Sequence, residues 1–220
     1  MMVHELVREA RSRIAKVDNE PVRYALTAAY LWAARASEVV AVASGSDTTT
    51  PYGPRGTDVS EDLYQVPGAQ PEQVAIFRIR TAKRGGMERF VALPLNPTYE
   101  PLTKPLLDYF RSRGSDYVFP FTRQTLHSYA SEALAGLTYE IAPQKIDGEI
   151  VRQHERQAGV HFLRHIRASE LAGRYGFSPL ELATYCGWSL KAAGLTPVMM
   201  RYVVFSWQSY FHRLLLPRLE

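Results

Sequence analysis

Apolar and polar positions repeat along this chain with two periods, and the period separates helix from strand. Leu6, Ala10 and Ile14 fall on one side of a helix over residues 3–16. Asp18 or Asn19 then caps a second helix with Pro21 in its first turn. The body of that helix, Val22 to Ala34, is apolar almost all round, the pattern of a helix that crosses a core. Arg35-Ala36-Ser37-Glu38 follows, and Val39 to Val42 either ends a helix or opens a strand.

Periodicity fades over residues 44–72, where Gly, Ser, Thr, Pro and Asp dominate. This stretch is expected to be a long surface insertion with little regular structure. Alternation returns in Val74 to Arg80 and again in Glu88 to Pro94. With Gly85-Gly86 between them these segments predict an antiparallel hairpin turning over residues 81–86. Pro101 to Arg113 reads as a helix ended by Gly114, Tyr117 to Pro120 as a buried connector, and Thr122 as the cap of a helix running to about Leu137. Residues 138–150 fit no single pattern. From about Gln153 the chain is expected to be helical with breaks. One helix ends near Gly176, a short one begins at Ser178-Pro179 and stops at Gly187-Trp188, a loop covers 191–196, and Pro197 opens a further helix. A last amphipathic segment runs from Trp207 to Leu216. These elements predict a single α+β domain over residues 1–220, mainly α-helical with one small antiparallel sheet.

Composition narrows the class. The 220 residues are 46% hydrophobic and 22% charged, as in ordinary globular domains, and no apolar run is long enough to span a bilayer. The N-terminus lacks the basic-then-apolar pattern of a secretory signal. The only cysteine, Cys186, lies in an apolar context, so it is expected to be a buried side chain of an intracellular, cytoplasmic protein. The net charge of +4 is mild, but its distribution is uneven. Arg78, Arg80, Lys83, Arg84 and Arg89 crowd one stretch, and Arg152, Arg156, Arg164, Arg167 and Arg174 another. Local basic patches of this kind point to a polyanionic partner.

The candidate chemistry centres on His161-Phe162-Leu163-Arg164-His165. Residues three and four apart share a helix face, so His161, Arg164 and His165 are expected on one side. A proton-transfer group, a permanent cation and a second imidazole together suit an anionic group undergoing reaction, such as a phosphodiester. Arg35, in Ala34-Arg35-Ala36-Ser37-Glu38, follows an apolar helix where an unpaired guanidinium would be costly. It therefore needs a partner, and either a phosphate or Glu38 would serve. Read as a basic surface helix, the same motif would carry no chemistry at all.

Taken in order, Arg35 with Ser37-Glu38, Lys83 in a hairpin turn, His161-x-Leu163-Arg164-His165, Gly187-Trp188-Ser189 and a downstream tyrosine resemble the catalytic domain of tyrosine recombinases, the family of phage and viral integrases. The resemblance covers roughly residues 1 to 210. It implies a metal- and ATP-independent enzyme without cofactors, which cuts and rejoins double-stranded DNA through a 3′-phosphotyrosyl intermediate and works as a homo-oligomer, a tetramer on its site. It also implies roles. Arg35 and Arg164 clamp the phosphate as planar forks. Lys83 protonates the leaving 5′ oxygen, a task for which Arg84 is too weak an acid. His161 handles a proton or binds the phosphate, and Trp188 stands where many relatives have histidine and donates through its indole N–H. His165 supports the helix. Tyr202 is the nucleophile, with Tyr210 as a rival that reads as packing. Glu38 is implied to support the fold around Arg35.

The family's N-terminal DNA-clamping domain is expected to be absent, with no room before the motif begins, and residues 207–220 are expected either to dock on their own domain or, as the resemblance implies, to be exchanged between protomers. Three other readings use the same residues. They are a type IB topoisomerase, a metal-dependent nuclease with His154, His161 and His165 as ligands, and a non-catalytic DNA-binding domain.

Overall fold

Asn19, Thr122 and Ser178 cap the starts of three helices with their side chains. The computed structural model describes residues 2–41, 53–66, 68–81, 87–140, 144–146, 149–151, 155–188 and 206–216. Helix α1 spans Val3–Ala15 and buries Leu6, Val7, Ala10 and Ile14. Helix α2, Glu20–Leu31, begins at Asn19, whose side chain accepts the backbone N–H of Val22, and is buried along nearly its whole length. It stops short of the expected Ala34. Ala33 takes a left-handed conformation with φ +47°, and the chain leaves the helix axis there. A single turn, α3 (Ala36–Val39), follows at once.

The sheet holds three antiparallel strands in the order β1 (Val59–Tyr64), β2 (Glu72–Thr81) and β3 (Met87–Pro94). The hairpin expected from alternation is β2–β3, with Ile79 opposite Arg89 and Phe77 opposite Val91. Strand β1 corrects the expectation for residues 44–72. Among the described residues of that stretch, 53–64 belong to the fold. Gly53 lies so close to Ala41 that a Cβ would sit 2.5 Å from the Ala41 Cα, and Gly56 lies against the end of the helix α4 (Thr103–Arg113), where a Cβ would sit 2.4 Å from the Phe110 carbonyl oxygen. Asp58 is fully buried between the Arg78 and Arg80 guanidinium groups. Composition hid the strand because β1 is an edge strand with four consecutive exposed positions, so it has no alternation to read.

Helix α5 (Arg123–Ala133) starts at Thr122, whose hydroxyl accepts the Thr125 N–H. The ambiguous stretch holds short β-ribbons: β4 (Thr138–Glu140) pairs with β7 (Glu155–Gln157), and β5 (Gln144–Ile146) with β6 (Glu149–Val151). The helical expectation from Gln153 onward is therefore corrected at residues 155–157; three-residue strands are too short to show a period. Helix α6 (Val160–Gly173) carries the motif, α7 (Pro179–Cys186) starts at Ser178 as expected, and Gly187, at φ +65°, ends it. Helix α8 (Gln208–Leu215) packs on β3 of its own chain and buries Tyr210, Phe211, Leu214 and Leu215. Among the described residues the fold is mixed α+β, about half helical. Helices α1 and α2 pack on α6, and α4 packs on the sheet. Trp32, Phe77, Phe110 and Phe119 meet in the core between them, with ring centroids 5.2 to 5.9 Å apart. No helix among the described residues is long and apolar enough to cross a membrane.

Candidate anion site

Two helices end at the same place. The last carbonyls of a helix have no partner within it and carry the negative end of its dipole, so they attract cations. Three groups meet the end of α2. The Tyr185 hydroxyl donates to the Leu31 carbonyl, Arg89 Nη2 donates to the Trp32 carbonyl at 3.1 Å, and Arg164 Nη1 donates to the Ala33 carbonyl at 2.5 Å. The same two arginines also bind the end of α7. Arg89 Nη1 donates to the Tyr185 carbonyl, and Arg164 Nη2 to the Cys186 carbonyl at 2.9 Å. The left-handed turn at Ala33 aims its carbonyl at Arg164.

Glu38 is the carboxylate at this junction. Its Oε1 accepts from Arg35 Nη1 at 2.9 Å. Its Oε2 accepts from the Arg35 backbone N–H at 3.0 Å and from Arg89 Nη2 at 3.2 Å, and lies 3.7 Å from Arg164 Nη1. Burial alone would push the Glu38 carboxyl up. Arg89, the Arg35 backbone N–H, Arg164 and the Arg35 guanidinium outweigh burial and hold it below the ordinary carboxylate value. The Arg164 guanidinium is pulled down to about 10, first by burial and then by the nearby Arg35 and Arg89 cations, against the opposing pull of Cys186 and Glu38. Among the described residues three guanidinium groups therefore share one carboxylate, and the junction is short of negative charge.

The expected residues divide as follows. Arg35 and Arg164 come together across Glu38, from the start of α3 and the middle of α6. The Arg35 side chain is 33% exposed, whereas Arg164 is 6% exposed and, among the described residues, spends two of its five N–H donors, both on carbonyls. The single face expected for His161, Arg164 and His165 is split. One residue advances the helix by about 100°, enough to turn Arg164 inward while both histidines stay exposed. His161 is at the rim. Burial first, then the cations of Arg164, His165, Arg35 and Arg156, lower the affinity of its imidazole for a proton. His165 faces another way, with its ring centroid 5.6 Å from that of Tyr139, and it lines a cavity of about 720 Å³ between α1 and β4–β7 that does not include Arg35 or Arg164. Trp188 is half-buried, its ring centroid 5.9 Å from the Arg164 guanidinium carbon. Lys83, Tyr202 and His154 lie outside the described residues.

The rival tyrosine is occupied elsewhere. Strand β3 is a sheet edge, and the Tyr210 hydroxyl caps it, accepting the Ala92 N–H at 3.0 Å and donating to the Phe90 carbonyl at 3.1 Å. Burial first, and Tyr185 next, push the Tyr210 hydroxyl far up, opposite to what a nucleophile needs. Cys186 is buried, and burial raises its thiol.

Arg89 is the residue that sequence reasoning counted only as part of a basic patch. The described members of that patch are spoken for: Arg78 and Arg80 pair with Asp58 and Glu88, and Arg89 turns inward. A signal was present in the alternation. Arg89 has the same parity as Val91 and Leu93, the inward face of β3, where a charge must find a partner. Among the described residues no group of three His, Cys, Asp or Glu is placed to hold a metal ion. No protein-family model, curated protein or solved structure matches the chain.

Proposed function

We propose that the chain is the catalytic domain of a DNA strand-transfer enzyme of the tyrosine recombinase type, with that family's fold around the α2–α6–α7 junction. The observation that carries this reading is the convergence of Arg35 and Arg164 across Glu38, from positions far apart in sequence, with His161 at the rim. A junction of cations with one shared carboxylate suits a phosphodiester, whose non-bridging oxygens gain charge as an attacker arrives.

In this reading Tyr202 attacks the scissile phosphorus, and the bond to the 5′ oxygen breaks. A 3′-phosphotyrosyl link forms, and Lys83 gives its proton to the departing oxygen. An imidazole that binds its proton weakly is neutral near pH 7, so His161 has a lone pair free to take the tyrosine proton. Trp188 adds a donor beside Arg164. Rejoining to another 5′ hydroxyl reverses these steps and conserves the bond energy in the covalent link. The partners of this reading are double-stranded DNA and further copies of the chain, a tetramer on the site, in the cytoplasm with the DNA it acts on.

A nicked suicide substrate tests it. Wild type should trap a covalent adduct in the presence of chelator, mapped to Tyr202 by mass spectrometry, and Tyr202→Phe should trap none. Arg35→Ala should slow trapping by roughly a hundred- to a thousandfold, as when one preorganised donor to a transition-state oxyanion is removed. No adduct from wild type, or an adduct surviving in Tyr202→Phe, would sink the assignment.

A further inference from the structure

The three arginines at the junction do different work, and Arg89 is the one with no outlet. Its side chain is 6% exposed, like that of Arg164, against 33% for Arg35. Its Nη atoms are committed to the Tyr185 carbonyl, the Trp32 carbonyl and Glu38 Oε2, and its Nε is buried with no hydrogen-bond partner among the described residues. With three donors spent on the protein against two for the equally buried Arg164, Arg89 has the fewest left for a substrate. It does reach Glu38, which is also bonded to Arg35 and lies 3.7 Å from Arg164. A carboxylate placed between two anion-binding arginines would ordinarily cancel one of them. With Arg89 beneath it, Glu38 has a counter-ion of its own.

We propose that Arg89 is a positioning residue of the anion site: it neutralises Glu38 from the protein interior, so that Glu38 orients Arg35 without cancelling the charge that Arg35 and Arg164 present to a phosphate. The inference rests on the anion-site reading given under Proposed function. It assigns a part to a strand residue lying between the arginines in sequence and outside every motif that suggested the site. The orientation comes from geometry: Glu38 grips Arg35 twice, at its backbone N–H and at Nη1. The electrostatic balance comes from the opposite side, where Arg89 approaches Oε2 at 3.2 Å. Removing Arg89 while Glu38 remains would lower the charge of the site by one unit. Removing both charges would leave Arg35 and Arg164 as the site's two guanidinium cations.

Inorganic phosphate, titrated into the full chain and followed by the His161 ring resonances, reads this directly, and urea unfolding is measured in parallel. Arg89→Met should weaken phosphate binding about tenfold, the effect of one charge at this range in a partly buried setting. Arg89→Met with Glu38→Gln should return the affinity to within about threefold of wild type, because the site again holds two uncompensated cations. Arg89→Lys should keep the affinity within the same range while losing stability, since the charge remains and the fork on the two carbonyls does not. A purely structural role predicts the reverse, with affinity following stability across all three variants. If Arg89→Met does not fold, Arg89→Lys decides, because it leaves Glu38 and its grip on Arg35 in place: a tenfold loss of affinity there overturns the proposal. A wild type that binds no phosphate overturns it together with the anion site, whereas wild-type binding that a folded Arg89→Met leaves unchanged overturns this inference alone.

Discussion

Glu38 is surrounded by more positive charge than it can neutralise, and this makes it the residue on which the junction depends. It is 1% exposed and touches Arg35, Arg89 and Arg164. Replacing it by Gln removes the only carboxylate bonded to these arginines among the described residues. Breaking a buried pair in this way costs about 3–5 kcal/mol, because the remaining charge stays buried and uncompensated. Urea unfolding of Glu38→Gln measures it, and a loss under 1 kcal/mol would mean that the helix ends alone hold the arginines. The same residue sets a pH dependence. Its folded-state carboxyl is held below the ordinary 4.5, so the unfolded chain binds the proton more tightly. The stability it contributes is therefore complete above about pH 4.5 and drains as pH falls through its lower folded value. Glu170, held down by Arg167 and Tyr30 against its own burial, adds to the fall in the same window. Acid unfolding of wild type should steepen below pH 4.5, and Glu38→Gln should flatten part of that slope.

At the scale of elements, two joints hold the sheet in place. One is the outer edge of β3, where unpaired backbone groups would otherwise template association with another strand. The Tyr210 hydroxyl closes it from α8. Tyr210→Phe leaves the Ala92 N–H buried without its acceptor, at a cost of about 1–3 kcal/mol. Faster hydrogen exchange at Ala92 with little change elsewhere is the expected signature. The other joint is Gly56, which brings the chain into β1 across the end of α4. Alanine there would place its Cβ 2.4 Å from the Phe110 carbonyl oxygen and 2.5 Å from that of Gly114, both backbone atoms that cannot swing aside. The resulting overpacking should cost about 1–3 kcal/mol, read as a lowered urea midpoint. Gly56→Ala with wild-type stability would show that the segment can shift away from α4.

For the whole molecule, the distribution of charge matters more than its total of +4. Arg78 and Arg80 are bound to Asp58, Arg11 to Glu100, and Arg167 to Glu170. The junction of Arg35, Arg89 and Arg164 keeps an excess instead. If DNA binds there, its affinity should fall with salt, with a log–log slope of about −0.9 for each phosphate contacted. Arg35→Ala should reduce that slope by about one, and Arg78→Ala should change it less. An affinity insensitive to salt, or equal effects of the two substitutions, would count against DNA binding at the junction.

What the sequence determined by itself was local. Asn19, Thr122 and Ser178 mark helix starts because a cap bonds N–H groups only two or three residues away. The β2–β3 hairpin and the helical stretch around residues 161–171 are legible because burial of one face imposes a period on adjacent residues. Arg35 and Arg164 were nameable because their motifs are short and contiguous. What only the tertiary structure decided was partnership. Strand β1 has no period because it is an edge, and the ribbon β4–β7 is too short to have one. Asp58 pairs with Arg78 and Arg80 of a patch that looked open, and Arg89 leaves that patch for a carboxylate 51 positions away. Charge pairing depends on distance in space, which sequence spacing does not encode. The motif therefore named two arginines, and the meeting of the α2 and α7 ends supplied the third.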